Sequence, residues 1–169
     1  MAVLALFGWV LLACAAPDLA PSLLGWERHA PDLFVALAVY LAVRSDGLDV
    51  VAWGIALGLA QDCVSLDPLG THAFVVGLVT LLFARGRGSF ERSSGLGLGF
   101  SLFGGTLLAH GLYVLRMIPV LREGPTLPGL LAGAPVGLWT TLWAWPLLAL
   151  LEKAHAFDDL TGRRHGLSA

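Results

Sequence analysis

Six apolar runs, at about Met1–Ala16, Pro31–Val43, Leu48–Gln61, Leu69–Ala84, Ser94–Val120 and Leu130–Leu151, are separated by short stretches that hold nearly all of the charge. A water-soluble fold does not accommodate that pattern. Of the 169 residues, 57% are hydrophobic and 13% charged, against roughly 45–50% and about 25% in soluble domains. Ten basic and twelve acidic side chains cannot coat so apolar a chain, so lipid is the expected solvent for most of it. The expected fold class is an all-α integral membrane protein, a compact bundle of six transmembrane helices, or five if one run is broken or re-entrant. The second and third runs are the ones in question, because each falls short of the roughly 17–25 residues that cover a hydrocarbon core of about 30 Å. Residues 1–151 form the expected transmembrane domain, and 152–169 a short tail of mixed charge.

Lys and Arg in short loops collect on the cytoplasmic side. Arg85, Arg87 and Arg92 lie between runs four and five, and Lys153, Arg163 and Arg164 follow run six. With six spans Arg44 joins them, while Arg28, Arg116 and Arg122 stay outside. Both termini are therefore expected in the cytoplasm, and the loops near 17–30, 62–70 and 121–129 outside. The last of these, with Glu123, Pro125 and Pro128, reads as a rigid loop. A net charge of −2 gives no electrostatic footprint for nucleic acid. Cys14 and Cys63 sit in apolar sequence without a ligand-type spacing, so neither a disulfide nor a metal is expected. Leu11-Leu12-Ala13-Cys14 looks like a lipoprotein cleavage site, but no basic n-region precedes it, so the run is read as a retained span.

Small residues recur at helix-packing spacing in Gly54/Gly58, Gly95/Gly99 and Gly133/Gly137, and in lipid such pairs let backbones approach closely. On the sixth run Trp143 is expected to pack inward, with Trp139 and Trp145 at the headgroup level or facing lipid.

The stretch Gly58-Leu-Ala-Gln-Asp-Cys-Val-Ser-Leu-Asp-Pro-Leu-Gly-Thr-His72 joins two apolar runs that are each short. Asp62 and Ser65 then lie at or near membrane depth, where a carboxylate costs at least about 2.5–3.5 kcal/mol unless it faces protein or water. They must find partners. Pro68 cannot continue a preceding helix, so span three is expected to end here, with Asp67 as N-cap and Pro68 at the first position of span four. Gly70 permits a close approach or an unusual dihedral. Asp62 is read first as a buried, satisfied anchor, with an ion, proton or ligand site as the alternative. A nucleophile–base pair and metal-ligand spacing are both missing, so no catalytic residue and no cofactor is expected.

The pattern Gly58-x-x-x-Asp62-x-x-Ser65-x-x-Pro68-Leu69-Gly70, followed by Thr71-His72-Ala73, resembles the signature of the MreD family of rod shape-determining membrane proteins of bacteria. Size and hydropathy match over the whole chain, the motif over about 15 residues. The resemblance implies five or six spans in the bacterial cytoplasmic membrane and a fold resembling the substrate-binding subunits of energy-coupling-factor transporters. It implies no catalytic activity, and a place in the elongation machinery with MreC, a single-span protein, together with MreB, RodA and a transpeptidase. Asp62, Ser65, Pro68, Leu69 and Gly70 carry over as motif positions.

His110, in the middle of run five, is expected to bond a facing carbonyl or carboxylate, Asp62 among the candidates. His72, beside the motif, can reach Asp62 or cap the break. Three functions remain for the structure to weigh. The first is a scaffold and regulator that binds a partner's transmembrane helix, with self-association open. The others are a small-molecule-binding subunit of a transporter and an intramembrane enzyme; the last needs a second convergent acidic or His cluster that the sequence does not offer.

Overall fold

The computed structural model describes residues 2–24, 30–45, 47–86, 95–121 and 127–153. Among them are seven helices and no strand: α1 (Ala2–Leu24), α2 (Leu33–Arg44), α3 (Val50–Val64), α4 (Thr71–Gly86), α5 (Gly95–Leu121), α6 (Leu127–Leu131) and α7 (Gly133–Lys153). Each of the six apolar runs is helical. The helix at the first run continues through Pro17 and Pro21 to Leu24, into the stretch expected as loop. The expected outer loop holds the short helix α6, with residues 122–126 outside the described part. The basic segment 87–94 and the tail from residue 154 also lie outside it.

α2 is the hub. Its 12 residues are apolar on every side up to Arg44, and every residue from Leu33 to Val43 is buried, as a helix without a polar face must be. α1, α3, α4, α5 and α7 all pack on it. At about 18 Å it is too short to cross a hydrocarbon core alone. It is a core helix sheathed by its neighbours, and its ends are held by polar partners instead of headgroups. At its start the Asp32 carboxylate accepts from the N–H of Val35 at 3.0 Å. At its end Arg44 pairs with Glu152 at the end of α7, at 3.0 Å. Those two helices therefore finish at the same end of the bundle. α1 is tied in by Trp9, whose indole N–H donates to the carbonyl of Leu33 at 2.8 Å.

Two segments, Leu96–Ile118 and Gly129–Lys153, are long and apolar enough to cross a membrane; the other apolar helices are shorter. The outward faces are as apolar as the core, with Leu4, Phe7, Phe100, Leu138 and Leu150 all exposed. Hydroxyls inside the helices bond their own backbone: Thr80, Ser101, Thr106 and Thr141 each donate to the carbonyl four residues back. A group so satisfied needs no water.

The glycine pairs differ in what they do. Gly58 lies directly against the backbone of His72 and Ala73, and Gly54 against Thr80, which brings α3 and α4 into close contact. Gly133 and Gly137 lie under the rings of His110 and Phe103 on α5. Gly99 meets Thr141 only at ordinary contact distance. The buried stripe of α7 is Gly133, Gly137, Thr140, Ala144 and Leu148. This corrects the expectation for Trp143, which is 43% exposed: small residues, not an indole, face a neighbour this near.

Candidate functional site

α3 ends at Val64 and α4 begins at Thr71. Ser65 turns extended and donates its N–H to Gln61 O at 3.0 Å, closing α3. The carbonyl of Pro68 accepts from the N–H of Thr71 at 3.1 Å, and that of Gly70 from Phe74 at 3.0 Å. Gly70, at φ 89°, occupies the cap position in a left-handed conformation suited to glycine. α4 thus starts three residues later than the sequence suggests, and Pro68 stands in the turn before it.

A helix that starts inside an apolar bundle leaves its first N–H groups without intrahelical partners. Asp62, from the last turn of α3, supplies them. Its Oδ2 accepts from Gly70 N at 2.9 Å and from Ala73 N at 3.2 Å. Its Oδ1 accepts from His72 N at 2.9 Å and from His72 Nδ1 at 3.0 Å. The residue is 5% exposed. One carboxylate thereby closes the break, and its charge sits at the positive end of the α4 dipole. A carboxylate offers about four lone-pair sites, and here four donors occupy them. It has little basicity or nucleophilicity left for a reaction.

Asp67, expected as the N-cap, does something else. Its Oδ1 accepts from the Tyr113 hydroxyl on α5 at 3.0 Å, and its Oδ2 lies 3.6 Å from Nε2 of His72. The rings of His72 and Tyr113 stack with centroids 5.5 Å apart. The turn formed at Pro68 carries Asp67 away from the helix axis, and the cap is delivered from α3. The series Asp62, His72, Asp67 and Tyr113 then ties the break to α5.

The other motif positions fall around this clasp. Gly58 provides the close approach beneath His72 and Ala73. Leu69 is 77% exposed at the tip, beside the exposed Leu66 and Phe74. Ser65, placed beyond the last helical turn, does not share Asp62's face or its network. It lines a cavity of about 290 Å³ together with Gln61 and Asp32, and its buried hydroxyl makes no hydrogen bond. His110 donates from Nε2 to the carbonyl of Gly129 at 2.9 Å, so the pairing with Asp62 weighed from sequence is not formed.

Sequence reasoning missed Asp32. Besides capping α2 it accepts from Gln61 Nε2 at 3.3 Å, while its N–H donates to Thr140 Oγ1 at 2.9 Å. It thus joins α2, α3 and α7, and the signal was present: an Asp directly before an apolar run is a helix-start signature. Tyr113 was missed too, although it lies three residues after His110 and hence on the same face. Asp32, Asp67, His72, Thr106, His110 and Tyr113 all line one cavity of about 210 Å³ at this end of the bundle. Among the described residues no group of three His, Cys, Asp or Glu side chains is placed to hold a metal ion.

Apolar inside and out, with a carboxylate-sealed break between two short helices, the chain is a helical membrane protein built around an architectural clasp. The family model described as rod shape-determining protein MreD matches residues 2–153, and the chain belongs to that family. It is a membrane-associated family of shape-determining proteins. No curated protein and no solved structure matches the chain.

Proposed function

We propose that the protein is a non-enzymatic scaffold and regulator of the bacterial rod complex. It binds an MreC-like single-span protein and supports lateral peptidoglycan synthesis and cell shape, alongside MreB, RodA and its transpeptidase. Membership of the MreD family over residues 2–153 carries this reading. The saturated carboxylate of Asp62 agrees with it, because the motif's charged residue is used to hold two helices. The exposed Leu66, Leu69 and Phe74 give the α3–α4 tip an apolar surface that suits a partner's helix within the bilayer.

In this reading the helices at the six apolar runs, or five of them, make up a bundle in the cytoplasmic membrane with a fold like that of energy-coupling-factor substrate-binding subunits, the short α2 shielded by its neighbours, and both termini lie in the cytoplasm. The Arg44–Glu152 end faces inward and the Asp62 clasp outward. Residues 152–169 are the cytoplasmic tail. Affinity purification of the tagged full chain from mildly solubilised membranes tests the reading. Recovery of a single-span, coiled-coil protein supports it; recovery of the bait alone counts against it.

A further inference from the structure

Two buried polar atoms at the end of α3, Oε1 of Gln61 and Oγ of Ser65, have no hydrogen-bond partner in the protein. Such atoms are costly, and folded proteins keep few of them. Gln61 cannot remove the problem by turning its amide over. Its Nε2 donates to Asp32 Oδ2 at 3.3 Å, and a carboxylate only accepts, so Oε1 stays on the unbonded side. Ser65 stands beyond the last helical turn. Its hydroxyl therefore lacks the backbone carbonyl, four residues back, that takes the proton of Thr80, Ser101, Thr106 and Thr141. It is the one motif side chain with a polar atom that the Asp62 clasp leaves without a task.

Gln61 and Ser65 line one cavity of about 290 Å³, with Asp32 beside them. Its other walls are apolar: Ala13 from α1, Leu33 and Phe34 from α2, and Val136 from α7. Val64, also in the lining, is exposed, so on that side the cavity meets the surrounding lipid. The volume equals roughly ten waters at about 30 Å³ each. Water would serve the polar atoms, but a hydrocarbon chain covers the apolar walls at a gain. The polar end selects the head group. Gln61 Oε1 can only accept, whereas the Ser65 hydroxyl has a proton to give and lone pairs to offer. A hydroxyl brings both the donor and the acceptor that this pair calls for. An ammonium would leave the Ser65 proton unused, and an anion would leave Gln61 unserved beside the Asp32 carboxylate.

We infer that this cavity binds a neutral aliphatic alcohol, its hydroxyl donating to Gln61 Oε1 and accepting from Ser65 Oγ, its chain lying along Leu33, Phe34 and Val136. The Ser65 side chain has one heavy-atom torsion, so it turns to meet the ligand without moving the backbone. Two sources share that chemistry: a free alkanol dissolved in the membrane, and the free hydroxyl of a diacylglycerol. The inference stands on the cavity and does not depend on the partner proposed above.

The test is photolabelling of the full chain in phosphatidylcholine nanodiscs with an octanol that carries a diazirine, the labelled residues being located by mass spectrometry. Octanol competes, and octyl methyl ether, equally apolar but without a hydroxyl proton, is the control. The expected result is saturable labelling at Leu33, Phe34 or Val64 that octanol displaces and the ether does not. In Ser65→Ala, half-saturation should need about fivefold or more of the probe. That variant should melt with the wild type when no alcohol is present, because the hydroxyl it loses bonds nothing in the protein. If diacylglycerol is the natural source, adding it to the nanodiscs suppresses the labelling; if a free alkanol is, only octanol does. Labelling spread over the lipid-facing helices with no saturable part at the cavity overturns the inference, as does equal competition by the ether, and neither arm needs a variant to fold. Unchanged half-saturation in a folded Ser65→Ala overturns the site, and a lower Tm for it without alcohol shows that the hydroxyl serves the fold instead.

Discussion

Asp62 and His72 meet twice, since Oδ1 of the carboxylate accepts from the backbone N–H of His72 at 2.9 Å and from its ring Nδ1 at 3.0 Å. The first bond caps a helix and belongs to the backbone. The second belongs to the imidazole and can be removed alone. His72→Ala should therefore keep the cap and lose about 1–2 kcal/mol of stability. Denaturant unfolding in detergent, with helicity followed by circular dichroism, reads that difference; a loss as large as that of Asp62→Ala would mean that the ring, not the cap, holds the break.

Gly58 and Gly70 are both glycine, for different reasons. A methyl group at Gly58 meets the backbone of His72 and Ala73, which cannot turn aside, whereas at Gly70 it meets nothing within 4 Å. Gly58→Ala should cost about 1–3 kcal/mol by overpacking. At Gly70 the cost lies in the positive φ, about 1–2 kcal/mol for most side chains and less for Asn. Melting temperatures should thus place Gly70→Asn above Gly70→Val, and equal values for the two would remove the backbone argument.

At the opposite end of the bundle, Arg44 and Glu152 join side chains that are 8% and 25% exposed, at 3.0 Å. So sheltered a pair should show a coupling of about 1–2 kcal/mol in a double-mutant cycle of Arg44→Met and Glu152→Gln. The coupling should persist in high salt, since surface pairs are screened and sheltered pairs much less so. Simple additivity would detach the end of α7 from that of α2.

The same method separates contacts that form from those that do not. Tyr113→Phe and Asp67→Asn should couple by about 1 kcal/mol through the 3.0 Å hydroxyl bond. His110→Ala and Asp62→Asn should add to within about 0.5 kcal/mol, because His110 bonds Gly129 O and Asp62 bonds the start of α4. Coupling in the second pair would call for a different arrangement of α5.

How far the sequence could be read follows from what each feature depends on. Apolar runs predict helices because lipid leaves the backbone no other way to satisfy itself, and all six runs are helical. That Asp62 must have partners follows from its charge and depth alone. Which partners it has does not follow, since its carboxylate reaches donors eight, ten and eleven residues ahead across a turn whose path depends on packing. Asp67 was misplaced for the same reason: local grammar favours an Asp-Pro cap, and the tertiary cap from α3 outcompetes it. The bond between Asp67 and Tyr113 spans 46 residues and has no local signal. The Asp32 cap had one, and the position was read as part of the apolar run.

The most direct measurement of the central claim is the thermal unfolding of Asp62→Ala beside the wild type in the same detergent. Removing the carboxylate strands the N–H groups of Gly70, His72 and Ala73 inside the bundle. The account predicts a loss of about 3 kcal/mol or more, seen as a large drop in melting temperature. An Asp62→Ala protein that melts with the wild type would contradict it, for the break would then stand without its clasp.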